Sequence, residues 1–196
     1  MYETLISALK ASGSVLLEHF KQPLMIRQKD SMSSIVTDAD IDSESVIIEI
    51  IGKDFSFHNI ISEESGFTDR GSEYTWVIDP LDGTSNFASG IPWFGVLIAL
   101  FKGNGPVMGG AFLPFTNELF FAEKGKGTYL NDQPLSKIED REMNDSLIAF
   151  CTDFIDDISI INRETEIYKH ILKNSRNIRS TNCLLDFIFV AQGKFG

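Results

Sequence analysis

The sequence predicts an α+β protein, on three observations. Two stretches of helical hydrophobic periodicity open the chain. Short apolar segments separated by Gly and Asn turns follow, the pattern of an antiparallel meander. Past residue 140, strand-like and helix-like segments alternate, which implies parallel pairing and a second, α/β lobe. The charged stretch 136–144 separates the two patterns, so the chain divides into lobes at 1–140 and 141–196.

Composition bounds the rest. The chain has 196 residues, 43% of them hydrophobic and 16 of them Phe, enough for a sizeable core. Its net charge of -11 argues against a nucleic-acid-binding surface and fits an acidic pocket offset by cations. Cys151 and Cys183 lie in apolar contexts with no Cys/His spacing of a zinc site, and read as reduced, buried thiols. No signal peptide and no bilayer-length apolar run are visible, so the expected location is cytoplasmic, without membrane contact.

Leu5, Leu9, Leu16 and Phe20 recur at helical spacing, with Ser12 and Gly13 on the same face. They predict a helix over about 2–21, with Pro23 beyond its end. Residues 25–36 read as extended. Thr37, Asp38, Asp40 and Asp42 then suit a helix N-terminus, and Val46, Ile47, Ile50 and Ile51 supply the buried face of a second helix ending at Gly52. Asp38, Asp40, Asp42 and Glu49 also match positions of a calcium loop. Ser43 stands where that loop needs glycine, and helical periodicity runs through it, so the calcium reading is set aside.

Residues 58–62 form a short strand leading into Glu63-Glu64, which reads either as a solvated turn or as a ligand pair. Residues 67–74 are turn-like. Residues 94–101, 107–113, 118–122 and 128–130 are the meander strands, with Asn104-Gly105 a strong hairpin signal. In the second lobe, 147–151 and 176–180 are strands, and 158–172 and 183–191 are helices. Two strands and two helices alone leave that lobe incomplete.

Chemistry concentrates in residues 76–87. Trp76-Val77-Ile78 has the bulk and β-branching of a buried strand, which Pro80 is expected to end. Asp79 and Asp82 follow three residues apart, then Gly83 and Thr84-Ser85-Asn86. Carboxylates at a strand end suit a hard, oxygen-liking cation. A helix opening at Thr84 or Ser85 suits a phosphate. A metal-and-phosphate site is the first expectation. His19, His58 and His170 are scattered, and no nucleophilic Ser, Cys or His stands out.

These residues resemble the inositol monophosphatase family. Residues 76–87 are similar to its W-x-I-D-P-[LI]-D-G-T-x-N-F signature. Thr37 to Asp40 resembles its V-T-x-x-D element, and Ile61 to Ser65 its G-E-E-S element. Residues 91–96 resemble F-P-x-F-x-V, and 117–120 and 127–131 fit as well, so the resemblance runs from residue 1 to 196. It implies a layered α-β-α-β-α sandwich and a Mg²⁺-dependent phosphomonoesterase. The enzyme would hydrolyse inositol monophosphate or a related sugar phosphate with an activated water. Carried over, the metal ligands are Glu63, Asp79, the Leu81 carbonyl and Asp82, with Asp79 and Asp82 bridging two ions. Thr84, oriented by Asp40, helps activate the water, and Glu63 takes part in catalysis. Glu63, Leu81, Asp82, Gly83 and Thr84 bind substrate, and Lys29 falls near a third metal position. Relatives act on fructose-1,6-bisphosphate, phosphoadenosine phosphate or histidinol phosphate, which stay open as alternatives.

The chain departs from the family pattern at three points. It has no counterpart of the C-terminal W-D-x-A motif, whose aspartate completes the second metal site, so it reads as C-terminally truncated. Thr181-Asn182-Cys183-Leu184 replaces Gly-Ser-Ala-Ala, which affects inositol specificity, and Ser34 stands where an acid is common. A weakened second Mg²⁺ site and low activity are expected, with a binding or regulatory role as the alternative. Apolar surface on Leu184, Phe187 and Phe189 is expected to be exposed and to favour oligomerisation, a homodimer being the expected assembly.

Overall fold

The computed structural model describes residues 1–22, 26–28, 35–153 and 155–196. They fall into two compact units, Met1–Gln28 with Ile35–Leu135, and Ser136–Gly196. Lys29 and Ser34, singled out from the sequence, lie outside the described residues.

The first unit opens with α1 (Tyr2–His19), β1 (Ile26–Gln28), β2 (Ile35–Thr37) and α2 (Asp38–Asp54). It continues with β3 (Asn59–Ser62), β4 (Gly66–Thr68), β5 (Tyr74–Asp82) and α3 (Thr84–Ala88). The meander follows: β6 (Gly95–Lys102), β7 (Gly105–Leu113), β8 (Glu118–Glu123), β9 (Gly127–Leu130) and β10 (Gln133–Pro134). β1 and β2 form an antiparallel pair. The other strands make one sheet in the order β10-β9-β8-β7-β6-β5-β3-β4. From β5 to β10 each strand is antiparallel to the next. β3 inserts parallel beside β5, with β4 antiparallel on its outer edge. β4 occupies part of the stretch expected to be turn-like, because Gly66 to Thr68 pairs with Ile60 to Ser62.

Helices α1 and α2 cover one face of this sheet. Leu5, Leu9 and Leu16 of α1, and Ile47 and Ile51 of α2, are fully buried against Trp76, Ile78, Val96, Ile98 and Leu100. The apolar spacing of both helices is thus used for one continuous core. Two glycines set how closely α1 approaches. A Cβ at Gly110 would strike the Leu9 side chain, and one at Gly13 would run into the Phe112 ring. The β6–β7 hairpin turns through Lys102-Gly103-Asn104-Gly105, the stretch that holds the Asn-Gly signal, with Gly103 and Asn104 as its central residues. Lys102 and Gly105 are paired across it and Gly103 sits at φ +55°, a conformation glycine adopts without strain.

The expectation that Pro80 ends its strand is corrected. β5 runs through Pro80 to Asp82. Its pairing with β6 passes from Asp79↔Leu97 to Asp82↔Gly95, so one extra residue is bulged out on β5. A bulge is one of the few places inside a sheet where the missing proline N–H removes no ladder bond.

The second unit contains β11 (Leu147–Ala149), α4 (Ile158–Asn174), β12 (Asn177–Arg179) and α5 (Leu185–Ala191). β11 and β12 are parallel, as the alternation implies. Asp186 accepts the backbone N–H groups of Thr181 and Asn182 and the Cys151 thiol, the last at 2.8 Å. Burial, then the bond to Asp186, pushes the Cys151 thiol above its usual pKa. Cys151 and Cys183 are both free thiols; Cys183 is buried, whereas Cys151 is only half-buried. The expected apolar exposure is partly corrected. Phe187 is 81% exposed, but Leu184 is buried, and Phe189 packs edge-on to Phe195 at 5.1 Å.

Candidate active site

The site forms where β5 runs out. Asp79 ends the regular pairing with β6, Pro80 and Leu81 occupy the bulge, and Asp82 re-enters the ladder. Gly83, at φ +86°, turns the chain into α3, and Thr84 is its first residue. A side chain at Gly83 would be strained by that left-handed conformation. Phe87, one turn further on, is buried against Phe20 and Phe94, which anchors the far end of the turn in the core. Trp76 anchors the near end. It is fully buried, and its Nε1 donates to His58 Nδ1 at 3.1 Å.

Two other segments meet this strand end. The parallel register of β3 and β5 pairs Ser62 with Ile78, and the Glu63 amide donates to the Ile78 carbonyl at 3.3 Å. Glu63 is therefore set down beside Asp79. The N-terminus of α2 supplies Asp40. Thr37 and Asp40 form a reciprocal capping box, in which Asp40 Oδ2 accepts the Thr37 amide and hydroxyl, both at 2.7 Å. The capping reading is thus correct, and the other oxygen of the same carboxylate faces Thr84. That Oδ1 lies 3.3 Å from the Thr84 hydroxyl, which reaches the Leu81 carbonyl at 2.9 Å.

The electrostatics record how these acids are gathered. Burial and, after it, the charges of Asp82 and Glu63 push Asp79 up to about 8, although the Leu81 amide donates to its Oδ1 at 3.2 Å. Asp40 adds to the rise. The other three acids expected at the site therefore all act on Asp79. Their donors are oxygens alone (the carboxylates of Glu63, Asp79 and Asp82, and the Leu81 carbonyl), the set that suits Mg²⁺. A cation among them would relieve the repulsion that raises Asp79. Among the described residues, no three such side chains stand close enough to hold an ion as they are.

Two contributors are not announced by the sequence. Ser43 donates to the Pro80 carbonyl at 2.7 Å. Glu44 accepts the Ser62 hydroxyl and the amides of Glu64 and Ser65. The signal available was their position three and four residues after Asp40, on the same helix face.

Fold and site together define the class: an α+β protein of the sugar-phosphatase type, with acids at a bulged strand end facing a glycine turn. The chain belongs to the inositol monophosphatase family, whose family model matches residues 1–196. It is 41% identical over 138 residues to a "Fructose-1,6-bisphosphatase/inositol-1-monophosphatase" of Aquifex aeolicus, an alignment covering 70% of this chain and 52% of that protein. It is 32% identical to a "Nus factor SuhB" of Haemophilus influenzae, over 99% of this chain and 73% of that protein. The chain thus spans about half the length of the first relative and about three quarters of the second. Among solved structures, the extragenic suppressor protein suhB of Bartonella henselae superposes with a TM-score of 0.90 at 28% identity, over 99% of this chain and 75% of that one.

Proposed function

We propose that this chain is a Mg²⁺-dependent phosphomonoesterase that hydrolyses inositol monophosphate or a related sugar phosphate. The observation that carries the reading is the bulged end of β5, where Asp79 and Asp82 flank the entry to the Gly83 turn and the β3–β5 register sets Glu63 beside Asp79. Bare acids would repel a phosphate, so this site requires a cation to take one. Glu63, Asp79, Asp82 and the Leu81 carbonyl would hold it. When bound, Mg²⁺ supplies charge neutralisation for the phosphate and lowers the pKa of water. Leu81 to Thr84 holds the phosphate over the turn. The Thr84 hydroxyl, donating to Asp40 Oδ1, keeps its oxygen lone pairs for an attacking water. A proton taken there passes to Asp40. Phosphoryl transfer asks little more of a protein than such positioning and neutralisation.

The fructose-bisphosphatase name of the Aquifex relative supports a sugar bisphosphate as an alternative substrate. The Nus-factor name of the Haemophilus relative favours a second reading, a regulatory role with weak or no turnover. A cytoplasmic homodimer fits both readings, with exposed Phe187 offering apolar surface for the contact. Among the described residues, no helix is long and apolar enough to cross a membrane.

The test is phosphate release from inositol 1-phosphate, fructose 1,6-bisphosphate and a panel of other phosphomonoesters, with Mg²⁺ or with chelator. Asp82→Asn is the control. Release that depends on Mg²⁺ and is lost in the control is expected. No release above the control from any ester would sink the catalytic reading.

A further inference from the structure

Helix α2 reaches the site three times from one face. Asp40, Ser43 and Glu44 stand at i, i+3 and i+4, so their side chains leave the helix on the same side. Asp40 takes the Thr84 hydroxyl. Ser43, fully buried, donates to the Pro80 carbonyl in the bulge between Asp79 and Asp82, and Ser12 of α1 backs its hydroxyl at 2.6 Å. Glu44, 6% exposed, places one oxygen, Oε2, against Ser62 Oγ, the Glu64 amide at 3.1 Å and the Ser65 amide at 3.4 Å.

Those three donors bracket Glu63. Its own amide is held from the other side by the Ile78 carbonyl. A buried carboxylate is costly unless its bonds are made, and charge-assisted bonds are the strong ones. Glu44 makes them to the turn that carries a candidate ligand. Its neighbour Ser43 makes one to the bulge that carries the other three, Asp79, the Leu81 carbonyl and Asp82. The ends of β3 and β5 are thus fastened to adjacent residues of one rigid helix.

We propose that Glu44, assisted by Ser43, is a positioning residue. It holds the Glu63 turn at a set distance from the Asp79–Asp82 bulge, so that their oxygens close on a divalent cation. The inference rests on the phosphatase reading above.

Calorimetric titration with Mg²⁺ tests it in the wild type, Glu44→Ala, Glu44→Gln and Ser62→Ala. Glutamine can keep a carbonyl oxygen where Oε2 sits; alanine cannot. Glu44→Ala is expected to weaken Mg²⁺ binding about 10–100-fold, the usual effect of losing an outer support of a metal site. Glu44→Gln is expected to restore most of it. Hydrogen exchange at the Glu64 and Ser65 amides is expected to quicken in Glu44→Ala, while circular dichroism stays that of a folded protein. Should that variant not fold, Ser62→Ala against Glu44→Gln carries the same comparison. A folded Glu44→Ala that binds Mg²⁺ as tightly as the wild type overturns the inference, and so does a Glu44→Gln as weak as the alanine variant. A wild-type chain that binds no Mg²⁺ overturns instead the reading on which it rests.

Discussion

The Thr84 hydroxyl lies 3.3 Å from Asp40 Oδ1, joining the first turn of α3 to the first turn of α2. Asp40 is held in place by the Thr37 amide and hydroxyl, so the acceptor is fixed before any substrate arrives. Thr84→Val keeps the shape and removes the hydroxyl. It should lower phosphate release about 100-fold or more, the scale of a lost acid–base group. The folding cost should be only about 1 kcal/mol, that of an ordinary hydrogen bond. Steady-state kinetics beside urea unfolding separates the two effects.

Asp79 makes the metal-free protein sensitive to pH. Its folded pKa, about 8, lies above its ordinary 3.8, so the folded state binds the proton more tightly than the unfolded chain. The stability this supplies is fully present below about pH 4 and is lost as pH rises through 8. Asp79→Asn should remove that part of the slope. In chelator, its melting temperature should fall less than that of the wild type between pH 5 and pH 8.5. Parallel profiles for the two proteins would refute the assignment.

His58 should act in the opposite direction. It stacks between Phe55 and Tyr74 at 4.8 and 5.0 Å and accepts the Trp76 indole N–H at Nδ1. Desolvation, then the N-terminal charge, lowers its pKa below 6.5, so the folded state binds its proton less tightly than the unfolded chain. Its contribution is present above pH 6.5 and fades as pH falls below that value. Protonation would also turn Nδ1 into a donor facing another donor. Melting of wild type and His58→Phe at pH 7.5 and 5.5 should show a smaller acid-side loss in the variant.

Gly110 tests the close approach of α1 to the sheet. An added methyl would meet Leu9 and stand 3.2 Å from the Phe120 carbonyl oxygen. Gly110→Ala should cost about 1–3 kcal/mol, the range for overpacking a well-filled core. A urea midpoint equal to that of the wild type would show that α1 shifts freely.

Much of the fold was legible because its signals are local. The spacing of Leu5, Leu9 and Leu16 marks α1, and the Thr37–Asp40 pair marks the start of α2 within a few residues. The strand-end acids Asp79 and Asp82 with Gly83 identify the site for the same reason, since all are neighbours in sequence. Pro80 misled, because its missing donor argues against a strand and only the pairing with β6 reveals the bulge that accommodates it. His58 gave no sign of its setting, since Phe55 is close in sequence but Tyr74, on its other face, comes from β5.

By itself, then, the sequence determined the helices, the meander and the acidic glycine turn, because each rests on contacts or conformations within a few residues. Tertiary structure alone decided that β3 lies parallel beside β5, which sets Glu63 against Asp79. It alone raised the Asp79 pKa, since burial and neighbouring charges belong to the assembled site. It also turned Ser43 and Glu44 from ordinary helix residues into the fastenings of two strand ends. Those partners lie 37 and 18 or more positions away, and only the packing of α2 on the sheet brings them within reach.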